Sequence, residues 1–140
     1  MGKIKIFLDT NILLDHLANR EGFYEDAAAI ISMINDGYVE GIVTSLSIVN
    51  CAYVLPKHYN RKDVMNQIRE IIRMFSISEV NADTLEQAVE MNPNDFEDAV
   101  QYLSSLHYHP DVIITRDKKG FKDIDIPVLT PAEFIAESKK

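Results

Sequence analysis

Residues 3 to 17, KIKIFLDTNILLDHL, leave the chain little choice of architecture. Ile4, Ile6 and Leu8 read as a buried strand, and a carboxylate, Asp9, stands where that strand ends. Thr10 and Asn11 follow, and then an apolar run with helical spacing from about Ile12 to Ala18. A strand that hands over at once to a helix is the opening of a βα unit. A carboxylate at the hand-over must be solvated, paired with a cation or employed on a ligand.

The same pattern repeats along the chain. From Tyr24, the apolar positions Ala27, Ile30, Ile31 and Ile34 predict a helix closed by NDGY, with Gly37 as a left-handed cap. EGIVTS predicts a short strand, and SLSIVNCAYVL a helix that runs to about Pro56. RKDVMNQIREIIRMF is amphipathic, with Val64, Ile68, Ile71, Ile72 and Phe75 as its expected buried stripe. ISEV predicts a brief strand, and ADTLEQAVEMN a helix stopped by Pro93. Asn94 or Asp95 should cap FEDAVQYLSSLHY, whose Ala99, Leu103 and Leu106 are expected to face inward. DVIITRD and IPVLT supply two late strands, and Thr130, Pro131 and Glu133 form a capping box with proline at the first helical position. Strands alternating with helices predict an α/β fold with a central, mainly parallel sheet flanked by helices. With no repeat, low-complexity tract or linker, residues 1–140 read as a single domain.

Composition narrows the function classes. An apolar content of 46% and a charged content of 26% suit a globular chain of 140 residues. The longest apolar runs, such as AAAIISMI, fall far short of the ~20 residues that cross a membrane. No secretion signal opens the chain, and the single Cys51 cannot form an internal disulfide, so a reducing cytoplasm is expected. A net charge of −8 argues against general attraction to nucleic acid, unless the acids gather where cations can bind.

They are placed to do so. In open parallel sheets ligands collect beyond the carboxyl ends of the strands, and Asp9 and Asp117 both stand at such ends. In PNDFEDAVQ, Asp95 and Asp98 share one face of a helix's first turn. Each acid alone has an ordinary reading, as a helix cap or a turn residue. Together they predict a pocket of carboxylates, whose repulsion is relieved by raised pKa values or by a bound cation. All-oxygen ligands of this kind suit Mg2+ or Mn2+. Such an ion can activate a water and hold the oxygens of a phosphodiester.

FLDTN at 7–11, SLSIVN at 45–50, DFEDAVQ at 95–101 and IITRDKKGF at 113–121 resemble the motif series of the PIN domain, in its VapC-like group. The resemblance spans nearly the whole chain. It implies a three-layer, Rossmann-like fold and metal-dependent cleavage of single-stranded RNA. It also implies, in many bacterial members, the toxin role in a toxin–antitoxin pair, and homodimers are common among them. By position, Asp9, Asp98 and Asp117 match the family's acids, expected here as catalytic residues and metal ligands. Thr10, Asn11 and Thr115 match its bracing polar residues. One departure matters: where the family's third helix carries Glu, this chain has Asn50. An Asn carbonyl can ligate a hard cation without charge. One missing charge at ~4 Å is worth about 4 kcal/mol of attraction at an effective ε near 20. Asp95 is the expected substitute ligand, against its simpler reading as a cap.

Other residues draw weaker expectations. Asp15 reads as structural, and Cys51 as a core residue. His107 and His109 lack the partners of a zinc site. Lys62, Arg69 and Arg73 form a solvated helix face that could meet an RNA backbone. Arg116, Lys118 and Lys119 flank the last acid, and Arg116 and Lys118 are the expected phosphate contacts. No glycine-rich phosphate loop occurs. The expected activity is therefore a metal-dependent endoribonuclease acting through an ion-activated water, with RNA as substrate, an antitoxin protein as possible partner and no membrane. The competing reading is a catalytically weak PIN-like module that binds RNA or protein, which Asn50 favours. A phosphoacceptor receiver domain would need an acid pair after the first strand and a late lysine at a strand end, where this chain has DTN and TRD.

Overall fold

A computed structural model describes residues 2–57, 59–122 and 124–140. Five strands form one sheet: β1 (Lys5–Leu8), β2 (Glu40–Thr44), β3 (Ser76–Ser78), β4 (Val112–Ile114) and β5 (Val128–Leu129). Their order is β3-β2-β1-β4-β5, and every pairing is parallel. Seven α-helices join and flank them among the described residues: α1 (Thr10–Leu17), α2 (Tyr24–Asn35), α3 (Ser45–Val54), α4 (Arg61–Met74), α5 (Ala82–Glu90), α6 (Phe96–Ser105) and α7 (Pro131–Ser138). The chain winds outward from β1 in one direction to β3, then returns to add β4 and β5 on the other side. The order therefore reverses between β1 and β4, where a parallel sheet opens a crevice at its carboxyl edge.

The strands alternate between two cores, as period-2 side chains must. Ile6, Leu8, Val43, Val112 and Ile114 pack with α1, α2, α3, α4 and Phe134 of α7. Phe7, Ile42 and Ile113 point to the opposite face, against Phe121 and Tyr102. Ala88, Ala99 and Val100 join α5 and α6 in a third, smaller cluster, with Leu46 of α3 against it. β1, covered on both faces, buries Ile6, Phe7 and Leu8 in succession. The buried strand is as expected except at Ile4, which precedes it and is 54% exposed.

Two further expectations are corrected. Val64, Ile68, Ile71 and Phe75 complete the buried stripe of α4 by themselves, and Ile72, on its edge, is 50% exposed. On α6 the inward positions are Ala99, Val100, Gln101, Ser104 and Ser105, which leaves Leu103 and Leu106 half-buried. Helix ends follow local chemistry. Gly37 adopts φ 85° after α2, as a left-handed terminator should. α5 stops at Glu90 because Asn92 turns left-handed (φ 49°), before Pro93 is reached. α3 gives way at Leu55 to a short 3-10 turn through Lys57. The β3 strand begins at Ser76, one residue before ISEV. Among the described residues no helix is long and apolar enough to cross a membrane.

Candidate active site

Asp9 leaves the carboxyl end of β1 and caps α1, its Oδ1 accepting from the Thr10 N–H at 2.8 Å. From the neighbouring strand end, Thr115 Oγ1 donates to Asp9 Oδ2 at 2.8 Å. Asn11 Nδ2 reaches the same oxygen at 3.3 Å. The carboxylate is thus held from both sides of the β1–β4 crevice and is only 6% exposed. Thr10, Asn11 and Thr115 all donate to the first acid. Burial pushes Asp9 above the ordinary carboxylate pKa, against the lowering effect of the Thr115 and Thr10 hydrogen bonds, and Asp117 and Asp95 add repulsion.

The other acids arrive from α6 and from the turn after β4. Asp95 caps α6, accepting from the Asp98 N–H at 3.0 Å. Asp117 caps the 3-10 turn Lys118–Phe121, accepting from the Lys119 N–H at 3.1 Å. Both cap readings hold, and both residues also line one open pocket with Asp9 and Asp98. Asn50 and Asn11 lie on the same wall, from α3 and α1. Asp98 carries the largest consequence of this gathering: desolvation first, then the charges of Asp9, Asp95, Glu97 and Asp117, raise its pKa to about 7. A carboxylic acid that keeps its proton to neutrality is an acid waiting for a cation.

Glu97 was not anticipated. It lines the pocket as a fifth acid, and its own pKa is raised by burial and by the charges of Asp9 and Asp95. The signal was present in the acid-rich DFED, but a glutamate in a helix's first turn has an ordinary electrostatic reason to be there. Gln101 was also missed. Beneath the acids, its side chain, Thr10, Thr44 and Ser47 form a closed set of hydrogen bonds.

The expected phosphate contacts do not reach the pocket. Arg116 is absent from the pocket lining and grips the buried Asp15 of α1 through Nε at 2.6 Å and Nη2 at 3.1 Å. Its guanidinium lies over the Phe23 ring, 4.0 Å from the centroid. Asp15 is accordingly structural, and Arg20 adds a second cation at 3.5 Å. Lys118 Nζ pairs with Glu133 of α7 at 2.5 Å. Lys119 instead lines a second cleft, which shares Asp95 and Asp98 with the first. Arg73 of α4 pairs with Glu70, and Arg69 bonds Asn66, along a solvated face.

The donor set fits a hard divalent cation. Five carboxylates border the pocket, and Asn11 Oδ1, a buried carbonyl oxygen at its wall, has no hydrogen-bond partner among the described residues. A lone unsatisfied oxygen beside crowded carboxylates is a place for a positive charge. Among the described residues no three acidic, histidine or cysteine side chains are placed to hold an ion together. The set suits an ion that retains much of its water and is held by one or two carboxylates, as Mg2+ commonly is.

An all-parallel sheet with acids collected at its β1–β4 crevice defines an acid-centred α/β domain of the Rossmann-like kind. A family model described as PIN domain matches residues 5–119, and the chain belongs to that family. It is similar to Ribonuclease VapC1 of Aquifex aeolicus (strain VF5), at 27% identity over 139 residues, 96% of this chain and 95% of the relative. A toxin–antitoxin complex from Klebsiella pneumoniae shares the fold with a TM-score of 0.67 and 20% identity, over 90% of this chain and 97% of its own. VapC20 of Mycobacterium tuberculosis, a sarcin–ricin loop cleaving toxin, does so with a TM-score of 0.67 and 14% identity, over 83% and 92% of the two chains.

Proposed function

We propose that this protein is a metal-dependent endoribonuclease that cleaves single-stranded RNA in the cytoplasm, and that it is the toxin of a toxin–antitoxin pair. The observation that carries the reading is the convergence of Asp9, Asp98 and Asp117, from two strand ends and one helix start, on a single pocket. Its membership of the PIN family and its likeness to Ribonuclease VapC1 support the same reading. The structural relative from Klebsiella pneumoniae, a toxin–antitoxin complex, supports an antitoxin partner.

Asp9 and Asp98 would hold Mg2+ or Mn2+, with Asp117, Asp95 or Glu97 as further ligand or anchor of its water. When bound, the ion supplies Lewis-acid charge to phosphate oxygens and lowers the pKa of a water. The protein's own contribution is orientation. Thr115 and the Thr10 N–H fix the Asp9 carboxylate, so little reorganisation is left for the reaction. Asp98 would have to give up its proton to hold a cation, which would make ion uptake sensitive to pH near neutrality. Glu97 restores the negative charge that Asn50 withholds.

Val49 of α3, Leu85 and Val89 of α5 and Phe96 of α6 are exposed apolar side chains on adjoining helices. Exposed apolar side chains of this kind support a homodimer. Val89→Lys should shift the sedimentation of the protein toward monomer.

Asp9→Asn and Asp98→Asn test the activity. Each should remove Mn2+-dependent cleavage of a fluorogenic single-stranded RNA and leave the far-UV circular dichroism unchanged. Cleavage at the wild-type rate in both would reject the roles given to these acids. The second reading, a binding module without catalysis, draws on the uncharged Asn50 in the pocket wall. Calorimetry with Mn2+ separates the two, because a binding remnant should show no saturable uptake that Asp9→Asn removes.

A further inference from the structure

Among the largest side chains wholly closed to solvent in the described residues, Gln101 is the one that is polar. It stands one turn beyond Asp98 on α6, where leucine or methionine would fill a similar volume without a desolvated amide. Its Nε2 donates to Thr10 Oγ1 at 3.2 Å and to Ser47 Oγ at 3.1 Å. Its Oε1 accepts from Thr44 Oγ1 at 2.9 Å. One amide therefore ties together α6, the start of α1, the end of β2 and the first turn of α3.

Those are the segments that present the pocket's walls. Thr10 follows Asp9 and donates its N–H to that carboxylate. Ser47 precedes Asn50 by one helical turn. α6 otherwise packs on α5, β2 and the 118–121 turn. The Gln101–Thr10 bond is a direct polar tie from the helix bearing Asp98 to the strand end bearing Asp9. A buried, fully bonded amide adds little net stability over an apolar side chain of the same shape. What it adds is a fixed arrangement, since each partner must stay in place for the set to remain satisfied.

We propose that Gln101 is a positioning residue: it sets the separation of Asp9 from Asp98 and so governs ion affinity and turnover. This rests on the metal-centre reading above.

The test uses the full chain and Gln101→Met, which keeps the volume and removes the bonds. Mn2+ affinity is measured by calorimetry, well below the melting temperature of each protein, and kcat and KM on single-stranded RNA are measured separately. The expected result is Mn2+ affinity weakened about tenfold or more, the size typical of lost supporting contacts at metal sites. kcat per folded molecule, counted by circular dichroism, should fall with KM for RNA unchanged, a split that loss of RNA contacts would not produce. Wild-type Mn2+ affinity and kcat in Gln101→Met would overturn the proposal. Should that variant not fold, Ser47→Ala removes one acceptor of the same amide. Several-fold weaker Mn2+ uptake would support the inference, and unchanged uptake would overturn it. A wild-type protein that takes up no Mn2+ would remove the metal-centre reading along with this one. Uptake by the wild type that is undiminished in the variants would remove this one alone.

Discussion

A Cβ atom on Gly120 would stand 1.8 Å from Oδ2 of Asp98. The turn after β4 thus comes down directly on the carboxylate that the pocket most strongly perturbs, and hydrogen is the only side chain that fits between them. The clash is with the end of a side chain, not with backbone, so the fold can yield by rotating Asp98 away.

Gly120→Ala should therefore leave the protein folded and strip it of its ion. Calorimetry should show Mn2+ affinity down by at least the ~10–100-fold seen when supporting contacts at metal sites are lost. The melting temperature should move by only a few degrees. Undiminished Mn2+ uptake would mean that Asp98 does not act from the position seen here.

The raised pKa of Asp98 fixes the sign of a pH effect. An unfolded chain releases this proton near 3.8, and the folded protein keeps it to about 7. Between those values the folded state binds more protons, so the group's contribution to stability declines as pH rises through that window. In EDTA, the melting temperature of the wild type relative to Asp98→Asn should fall from pH 4 to pH 7 and level off above. Apparent Mn2+ affinity should climb over the upper part of the same range. A difference between the two proteins that is flat with pH would contradict the assignment.

Arg116 holds Asp15, whose side chain is 1% exposed, by a two-pronged ion pair. Arg116→Ala leaves that buried charge to Arg20 alone, 3.5 Å away, and should cost about 1–3 kcal/mol in urea unfolding. RNA affinity of a catalytically silent Asp9→Asn background should not change. Weakened RNA binding with unaltered stability would restore the phosphate-contact role that the geometry removes.

Asn50 offers a gain-of-charge experiment. Asn50→Glu places a sixth carboxylate on the pocket wall and should tighten Mn2+ binding, by about tenfold if a fraction of the ~4 kcal/mol attraction survives screening. Isothermal titration should also report whether the stoichiometry rises above that of the wild type. Weaker binding would mean that Glu97 and Asp95 already saturate the available charge.

Asp9, Asp98 and Asp117 were legible in the sequence because strand and helix boundaries have strong local signatures, and an acid at each boundary can be located by counting. Gln101 and Glu97 were not. A polar residue on an amphipathic helix looks like part of a solvated face, and only the packing of α6 over β2 shows that residue 101 points inward. Arg116 was misplaced for a related reason: its neighbour Asp117 faces the pocket, but adjacent residues in an extended turn diverge, and Asp15 lay waiting on the other side. The exposure of Ile72 reflects the limited width of the surface that α4 covers, a property of its partners. The all-parallel sheet followed from the alternation of elements, while its order depended on which side of β1 received β4.

That central place of β1 has a consequence for biosynthesis. Its hydrogen-bonding partners are β2, close behind it in the chain, and β4, more than a hundred residues later. Until Thr115 and Asp117 have left the ribosome, a nascent chain has neither the second edge of the crevice nor the hydroxyl that steers Asp9. A nascent chain that stops short of β4 therefore lacks an assembled acidic centre, which forms only as β4 joins the sheet.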